Sequence, residues 1–167
     1  MSDILITGST GFVGSNLVPF LKNECDYSIV EVNRNRKGND GEGISYDQLF
    51  SSDEKGYSNY IHLAGKAHDL KNTSDESEYF KVNYELTKRL FDRFLRDEKA
   101  QTFIFISSVK AIADEVQGKL TEEHKPDPVT AYGRSKLKAE NYILDNMPQN
   151  RTVVILRPCM IHGPGNK

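Results

Sequence analysis

Apolar and polar residues follow two different spacings along the chain, and these spacings predict alternating strands and helices. Short apolar runs bounded by polar or glycine-rich segments indicate buried strands, and apolar residues three or four positions apart indicate amphipathic helices. The predicted strands are residues 3–7, 27–32, 44–46, 59–64, 102–107 and 152–156, and the predicted helices are residues 12–23, 75–98 and 130–147. Polar segments with glycine or proline predict loops at 33–43 and 113–129.

This order of elements predicts the α/β class, with a doubly wound, Rossmann-like parallel sheet of about six strands and helices on both faces. A length of 167 residues suits one domain. The net charge of −2 gives no reason to expect nucleic acid or an anionic membrane as a partner. Without a transmembrane-length apolar run or a leader-like N-terminus, we expect a cytoplasmic protein.

A glycine-rich segment, TGSTGFVG, joins the first predicted strand to the first predicted helix. Gly8 permits a tight turn, Gly11 lets the backbone approach a pyrophosphate, and Gly14 allows the helix to pack closely on the sheet. The helix N-terminus, with Phe12 and Val13 in its first turn, then faces the negative charge. The segment therefore predicts a dinucleotide site, although a glycine turn without a ligand is the alternative.

The end of the second strand bears on which dinucleotide would bind. An acidic residue there usually bonds the ribose 2′-hydroxyl of NAD, but Glu31 lies within the strand pattern and Asn33 lies nearer its tip. Arg34 and Arg36 could instead bind a 2′-phosphate, which favours NADP over NAD. A solvated basic loop is the alternative interpretation of these arginines.

Tyr132 precedes Lys136 by four residues at the start of the third predicted helix, so both side chains share one face. A nearby ammonium favours the phenolate and lowers the tyrosine pKa from about 10 toward neutral pH. Ser107 and Ser108 end the preceding strand, and Ser108 could bond a substrate oxygen at the same sheet edge. This arrangement predicts proton exchange with an alcohol beside a hydride acceptor, whereas an ordinary surface pair is the alternative.

Together these segments resemble the extended short-chain dehydrogenase/reductase family of nucleotide-sugar epimerases, dehydratases and reductases. The resemblance rests on residues 7–14, 62–65, 103–108, 132–136 and 157–165, the last with His162 where the family usually has tyrosine. It implies catalytic roles for Ser108, Tyr132 and Lys136, with Lys136 also holding the nicotinamide ribose. It further implies a cofactor site that includes Asn33, Arg34, Leu63, Ala64, Gly65, Asn83, Ser107, Tyr132 and Lys136.

Finer features resemble family members that act on UDP-linked N-acetylhexosamines, as 4-epimerases or 4-keto reductases. These features are residues 63–68 and 107–110. Dehydratases usually have an acidic pair after the active-site serine or threonine, and the sequence Val-Lys-Ala at 109–111 argues against that branch. A dinucleotide-sensing module that is not an enzyme remains an alternative, but such relatives tend to lose the tyrosine or the lysine.

The resemblance also predicts what surrounds this domain. Residues 1–167 are expected to be the dinucleotide-binding domain alone, an N-terminal fragment without the C-terminal region that holds the nucleotide-sugar in the family. The helices at 75–98 and 130–147 could form a homodimer, or their apolar faces could be buried within the chain. The four histidines share no ligand spacing, so we expect no metal site.

Overall fold

A single parallel sheet organises the fold, in a computed structural model that describes residues 3–25, 27–34, 43–51, 56–66, 75–116 and 118–165. The strands are β1 (Asp3–Thr7), β2 (Ser28–Asn33), β3 (Gly43–Ser45), β4 (Asn59–His62), β5 (Thr102–Ile106) and β6 (Thr152–Leu156). They pair in the order β3-β2-β1-β4-β5-β6, and every pair is parallel. This order confirms the predicted doubly wound fold, whose crevice opens where β1 and β4 end.

The helices agree with the prediction except at two points. They are α1 (Phe12–Glu24), α2 (Tyr46–Ser51), α3 (Glu76–Tyr79), a π-helical segment (Phe80–Glu85), α4 (Leu86–Arg96) and α5 (Ala131–Asp145). The short helix α2 was not predicted. The predicted uniform helix at 75–98 contains the π-helical segment, so that prediction was wrong in detail. Most of the predicted loop at 33–43, including Arg36, lies outside the described residues.

Apolar side chains cover both faces of the sheet because successive strand residues point to opposite sides. The larger cluster joins the sheet to α4 and α5 and includes Leu90, Phe91, Phe94, Phe103, Phe105 and Ile143, all fully buried. The smaller cluster joins the other face to α1 and includes Ile4, Ile6, Val18 and Ile29. The larger cluster fixes α4 and α5 beside the carboxyl ends of β4 and β5.

The start of α5 is fixed by a polar cap. Thr130 is the N-cap residue, and its Oγ1 accepts a hydrogen bond from the Gly133 amide at 3.0 Å. The Asp114 carboxylate accepts bonds from the amides of Val129 and Thr130 and from the Thr130 hydroxyl. A Cβ at position 133 would overlap the Lys110 carbonyl, so glycine lets α5 pack against the turn after β5. These contacts hold the first turn of α5 at the sheet edge.

Candidate active site

Two adjoining cavities lie at the carboxyl edge of the sheet. The larger has a volume of about 560 Å³ and is lined by the glycine-rich turn and the ends of β2 and β4. The smaller has a volume of about 250 Å³ and is lined by Ser108, Tyr132 and Lys136 among others. Leu63 and Gly65 line both cavities. The structure therefore brings the predicted catalytic side chains next to the predicted cofactor turn.

The glycine-rich turn depends on backbone that lacks side chains. Gly8 has a φ of +74°, and a Cβ there would lie 2.5 Å from the Ala64 amide nitrogen. The Gly11 amide donates to the Gly8 carbonyl at 3.0 Å, which closes the turn before α1. A Cβ at Gly14 would overlap that same carbonyl. Bare backbone therefore faces the larger cavity at the N-terminus of α1, an arrangement suited to a pyrophosphate.

The wall of the larger cavity beyond the glycines includes predicted and unpredicted residues. Asn33 and the exposed Arg34 line it, and Asn33 accepts a bond from the Ser9 hydroxyl at 3.2 Å. Phe50 of α2 and Arg89 of α4 also line it, with the guanidinium 4.0 Å from the ring centre. Phe50 was missed because α2 was missed, and Arg89 lies on a predicted helix but was not predicted to line the site. Of the predicted set, Phe12 and Val13 lie in the first turn of α1 and line neither cavity.

Lys136 reaches the smaller cavity from a buried position. Its Nζ donates to the Ile106 carbonyl at 2.9 Å and lies 4.8 Å from the centre of the Phe105 ring. Burial lowers the pKa of the Lys136 ammonium to about 8, although the nearby Glu140 carboxylate opposes that change. The residue is therefore mostly charged at neutral pH.

Tyr132 differs from the expectation in its pKa. Burial raises the pKa of the phenol, and the nearby Tyr79 phenol adds to that effect. A hydrogen bond with the Ser108 side chain acts in the opposite direction. The expectation that Lys136 lowers this pKa is wrong here, because desolvation of the phenolate outweighs the other effects and the ammonium is bonded to Ile106.

The remaining predicted residues have different surroundings. Ser107 lines the smaller cavity, and its buried hydroxyl has no hydrogen-bond partner among the described residues. Asn83 lines neither cavity but fixes the backbone of Lys66, accepting from its amide at 2.7 Å and donating to its carbonyl at 3.1 Å. A Cβ at Gly65 would lie 3.2 Å from both Asn83 Oδ1 and Lys136 Nζ, so this stretch of backbone also stays open to the cavities.

These features fit a bound dinucleotide. Bare glycine backbone and a helix N-terminus suit the pyrophosphate, and the orphaned Ser107 hydroxyl is a buried polar group that a ligand atom could satisfy. In the described part of the chain, no group of three or more His, Cys, Asp or Glu side chains is arranged to hold a metal ion. None of the helices described there has the length and apolarity needed to span a bilayer.

Comparison with known proteins agrees with this geometry. UDP-glucose 4-epimerase of Vibrio cholerae is 33% identical over 178 residues, which cover 98% of this chain and 53% of that protein. The structure of MoeE5 with UDP-glucose and NAD has a TM-score of 0.81 and 28% identity, covering 99% of this chain and 57% of that one. The structure of RMD from Pseudomonas aeruginosa with NADPH has a TM-score of 0.78 and 25% identity, and the match covers 100% of this chain and 57% of that one.

The chain spans about half the length of the relatives that it matches. The model of the NAD dependent epimerase/dehydratase family matches residues 4–167, which is almost the entire chain. With the sheet order and the glycine turn described above, this match establishes that the chain belongs to the NAD dependent epimerase/dehydratase family.

Proposed function

We propose that this chain supplies the cofactor site and the proton-transfer residues of a nucleotide-sugar 4-epimerase. The observation that carries the proposal is the shared wall of the two cavities, because it brings Tyr132 next to the glycine turn. A UDP-hexose or a UDP-N-acetylhexosamine is the proposed substrate, converted through a transient 4-keto sugar. The 33% identity to a UDP-glucose 4-epimerase supports epimerisation over a simple reduction.

The residues that would hold NAD(P) are the glycine turn, Asn33 and Arg34, residues 63–65, Ser107 and Lys136. When bound, the cofactor supplies a hydride acceptor and returns the hydride. Tyr132 would take the proton of the sugar 4-hydroxyl and give it back, and Ser108 would bond the same oxygen. Because burial raises the pKa of Tyr132, forming the phenolate requires a positive charge nearby, and Lys136 is the buried cation on this cavity wall.

The test uses the complete product of the gene with Tyr132→Phe, which keeps the ring and removes the exchangeable proton. We expect UDP-sugar interconversion to fall by at least about a hundredfold, in line with the loss of a general acid–base group. Cofactor affinity should stay close to that of the wild type. The exposed Tyr27 provides the matched control, Tyr27→Phe, which should keep full activity. Undiminished activity in Tyr132→Phe would refute the assigned role.

Cofactor preference is the finer part of the proposal. Arg34 on the cavity wall supports NADP, as does its exposed position at the tip of β2. Measuring the dissociation constants of NAD and NADP tests this directly. We expect Arg34→Ala to weaken NADP more than NAD, and Arg96→Ala, at the far end of α4, to change neither. Tighter binding of NAD than NADP by the wild type would contradict the argument from Arg34.

A homodimer through residues 75–98 and 130–147 is a further part of the proposal. Lys88 of α4 bonds the Tyr142 hydroxyl of α5 at 3.0 Å and Asp92 at 2.8 Å, so the two helices form one continuous surface. Sedimentation equilibrium measures the assembly directly. A monomer at a protein concentration of tens of micromolar would rule out this part.

A further inference from the structure

His62 lies at the carboxyl end of β4 and is fully buried between β1 and α4. Its Nδ1 lies 2.6 Å from the Thr7 hydroxyl, and its Nε2 lies 2.8 Å from the Thr87 hydroxyl. The imidazole also stacks on Phe105, with 5.5 Å between ring centres. The ring therefore connects β1, the strand that leads into the glycine turn, to the helix α4.

The hydrogens of this bridge have one consistent arrangement. Thr87 Oγ1 bonds the Asn83 carbonyl at 2.8 Å, and since a carbonyl only accepts, the single Thr87 hydroxyl hydrogen points there. Thr87 must then accept from His62 Nε2–H. Burial lowers the pKa of His62 to about 3, so the ring is neutral at pH 7 and carries its one proton on Nε2. Its Nδ1 then accepts from the Thr7 hydroxyl, whose oxygen accepts from the Ala64 amide at 3.3 Å.

The chain continues from Thr87 to the helix of Tyr132. Asn83, whose carbonyl receives the Thr87 hydroxyl, lies in the π-helical segment and donates from Nδ2 to the Ser135 hydroxyl at 3.1 Å. The Ser135 hydroxyl in turn donates to the Tyr132 carbonyl at 2.8 Å. Segments of π-helix inside α-helices are often found at functional sites. Here the π-helical segment joins the bridge at His62 to the first turn of α5.

We propose that His62 is a positioning residue that couples the occupancy of the glycine-turn cavity to the position of the Tyr132 helix through this buried hydrogen-bond chain. The chain starts at Ala64, whose amide lies against Gly8, and it ends at the Tyr132 backbone. A ligand that shifts the turn at Gly8 therefore acts on α5 through bonds that are buried in the middle of the chain and half-buried at its two ends. This coupling rests on the proposed dinucleotide site, whereas the hydrogen-bond arrangement itself does not.

The arrangement of hydrogens is tested first, without a cofactor. Nitrogen-15 NMR of the imidazole should report a bare Nδ1 and a protonated Nε2, unchanged between about pH 5 and pH 8. Thr87→Val removes the acceptor of Nε2–H and should shift the Nε2 signal, whereas Thr87→Ser keeps a hydroxyl and should restore it. A tautomer protonated on Nδ1, or a midpoint near the ordinary histidine value of about 6.5, would overturn the proposal.

The coupling is tested by amide hydrogen exchange at residues 134–137, with and without saturating NAD or NADP. We expect the cofactor to slow exchange there in the wild type. In Thr87→Val the protection factor gained on cofactor binding should be about three- to tenfold smaller than in the wild type, which is the effect of one buried hydrogen bond. In Thr87→Ser it should return to the wild-type value. The exposed Thr152 gives the control, Thr152→Val, which should behave as the wild type.

The two possible failures are distinguishable. If the wild type binds neither NAD nor NADP, the proposed function fails and the coupling fails with it, and the NMR result still decides the hydrogen-bond chain. If a cofactor binds and slows exchange equally in the wild type and Thr87→Val, the coupling alone is refuted. A purely structural role for Thr87 would lower stability in both Thr87 variants without restoring protection in Thr87→Ser.

Discussion

His62 makes a specific prediction about the pH dependence of stability. Burial lowers the pKa of this imidazole from 6.5 to about 3, and the charge of Lys136 adds to the effect. Between these two values the unfolded chain binds a proton that the folded chain does not. Stability due to His62 is therefore complete above pH 6.5 and is lost progressively as the pH falls toward 3.

The magnitude follows from the difference in pKa. Because a tenfold change in an equilibrium constant corresponds to about 1.36 kcal/mol, lowering the pKa of His62 from 6.5 to about 3 amounts to a loss of about 5 kcal/mol of unfolding free energy once the pH has fallen below 3. Between pH 7.5 and pH 5 the unfolding free energy should fall by about 2 kcal/mol, which is only the first part of this loss. That is a large fraction of the roughly 5–15 kcal/mol that holds a typical domain folded.

Urea unfolding followed by far-ultraviolet circular dichroism measures this difference. The free energy of unfolding is compared at the two pH values in the wild type, His62→Gln and His124→Gln. Glutamine does not titrate, so His62→Gln should lose about 2 kcal/mol less than the wild type between pH 7.5 and pH 5. His124 is exposed, and its substitution controls for removal of a histidine as such. Carboxylates contribute equally in all three proteins, so equal losses in the wild type and His62→Gln would refute the reasoning.

Three further predictions concern the packing and charge of α5. Arg157→Ala leaves the fully buried Glu140 carboxylate without its bidentate partner, so the unfolding free energy at pH 7 should fall by about 3 kcal/mol. Urea titration measures this, and a loss below about 1 kcal/mol would contradict it. Gly133→Ala should lower the unfolding free energy by about 1–3 kcal/mol through overpacking, and the melting temperature should fall with it. In the control variant Gly163→Ala, no atom lies nearer than 3.5 Å to the added Cβ, so the melting temperature should not change. Because the pKa of Lys136 is lowered from 10.5 to about 8, the unfolded chain binds more protons than the folded chain between these pH values. The unfolding free energy of the wild type should therefore rise by about 1.5 kcal/mol relative to that of Lys136→Met between pH 8 and pH 9.5. Parallel pH profiles of the two proteins would count against this.

The location of the site could be predicted from the sequence because it follows from topology. Strand ends in a parallel sheet share one edge, so a glycine turn after β1 and serines after β5 had to lie close together. The spacing of Tyr132 and Lys136 then added the first turn of α5 to that edge. These inferences needed only the order of the elements, which the apolar spacing predicts well.

The short helix α2 was missed although the sequence carries a signal for it. The Ser45 amide donates to the Gln48 side chain at 2.8 Å, and the Gln48 amide donates to the Ser45 hydroxyl at 3.1 Å. This reciprocal pair is a capping box, recognisable as serine followed three residues later by glutamine. Recognising it would have predicted the helix that carries Phe50 to the wall of the larger cavity.

The π-helical segment and the pKa of Tyr132 could not be predicted in the same way. The π-helical register, in which the Leu86 amide bonds the Lys81 carbonyl, has no apolar spacing that distinguishes it from α-helix over six residues. The pKa of Tyr132 depends on how much water the fold removes from the phenol, which residue spacing does not reveal. Both features arise from tertiary packing rather than from local sequence.

The neutral state of His62 bears directly on Lys136. Each positive charge buried here disfavours the other, and the charge of Lys136 is one of the two causes that lower the pKa of His62. Because burial lowers the pKa of the imidazole to about 3, the Lys136 ammonium has no competing cation beside it at neutral pH. With a pKa of about 8, about nine-tenths of Lys136 is charged at pH 7. The buried histidine therefore helps to maintain the positive charge that proton removal from Tyr132 would require in the proposed mechanism.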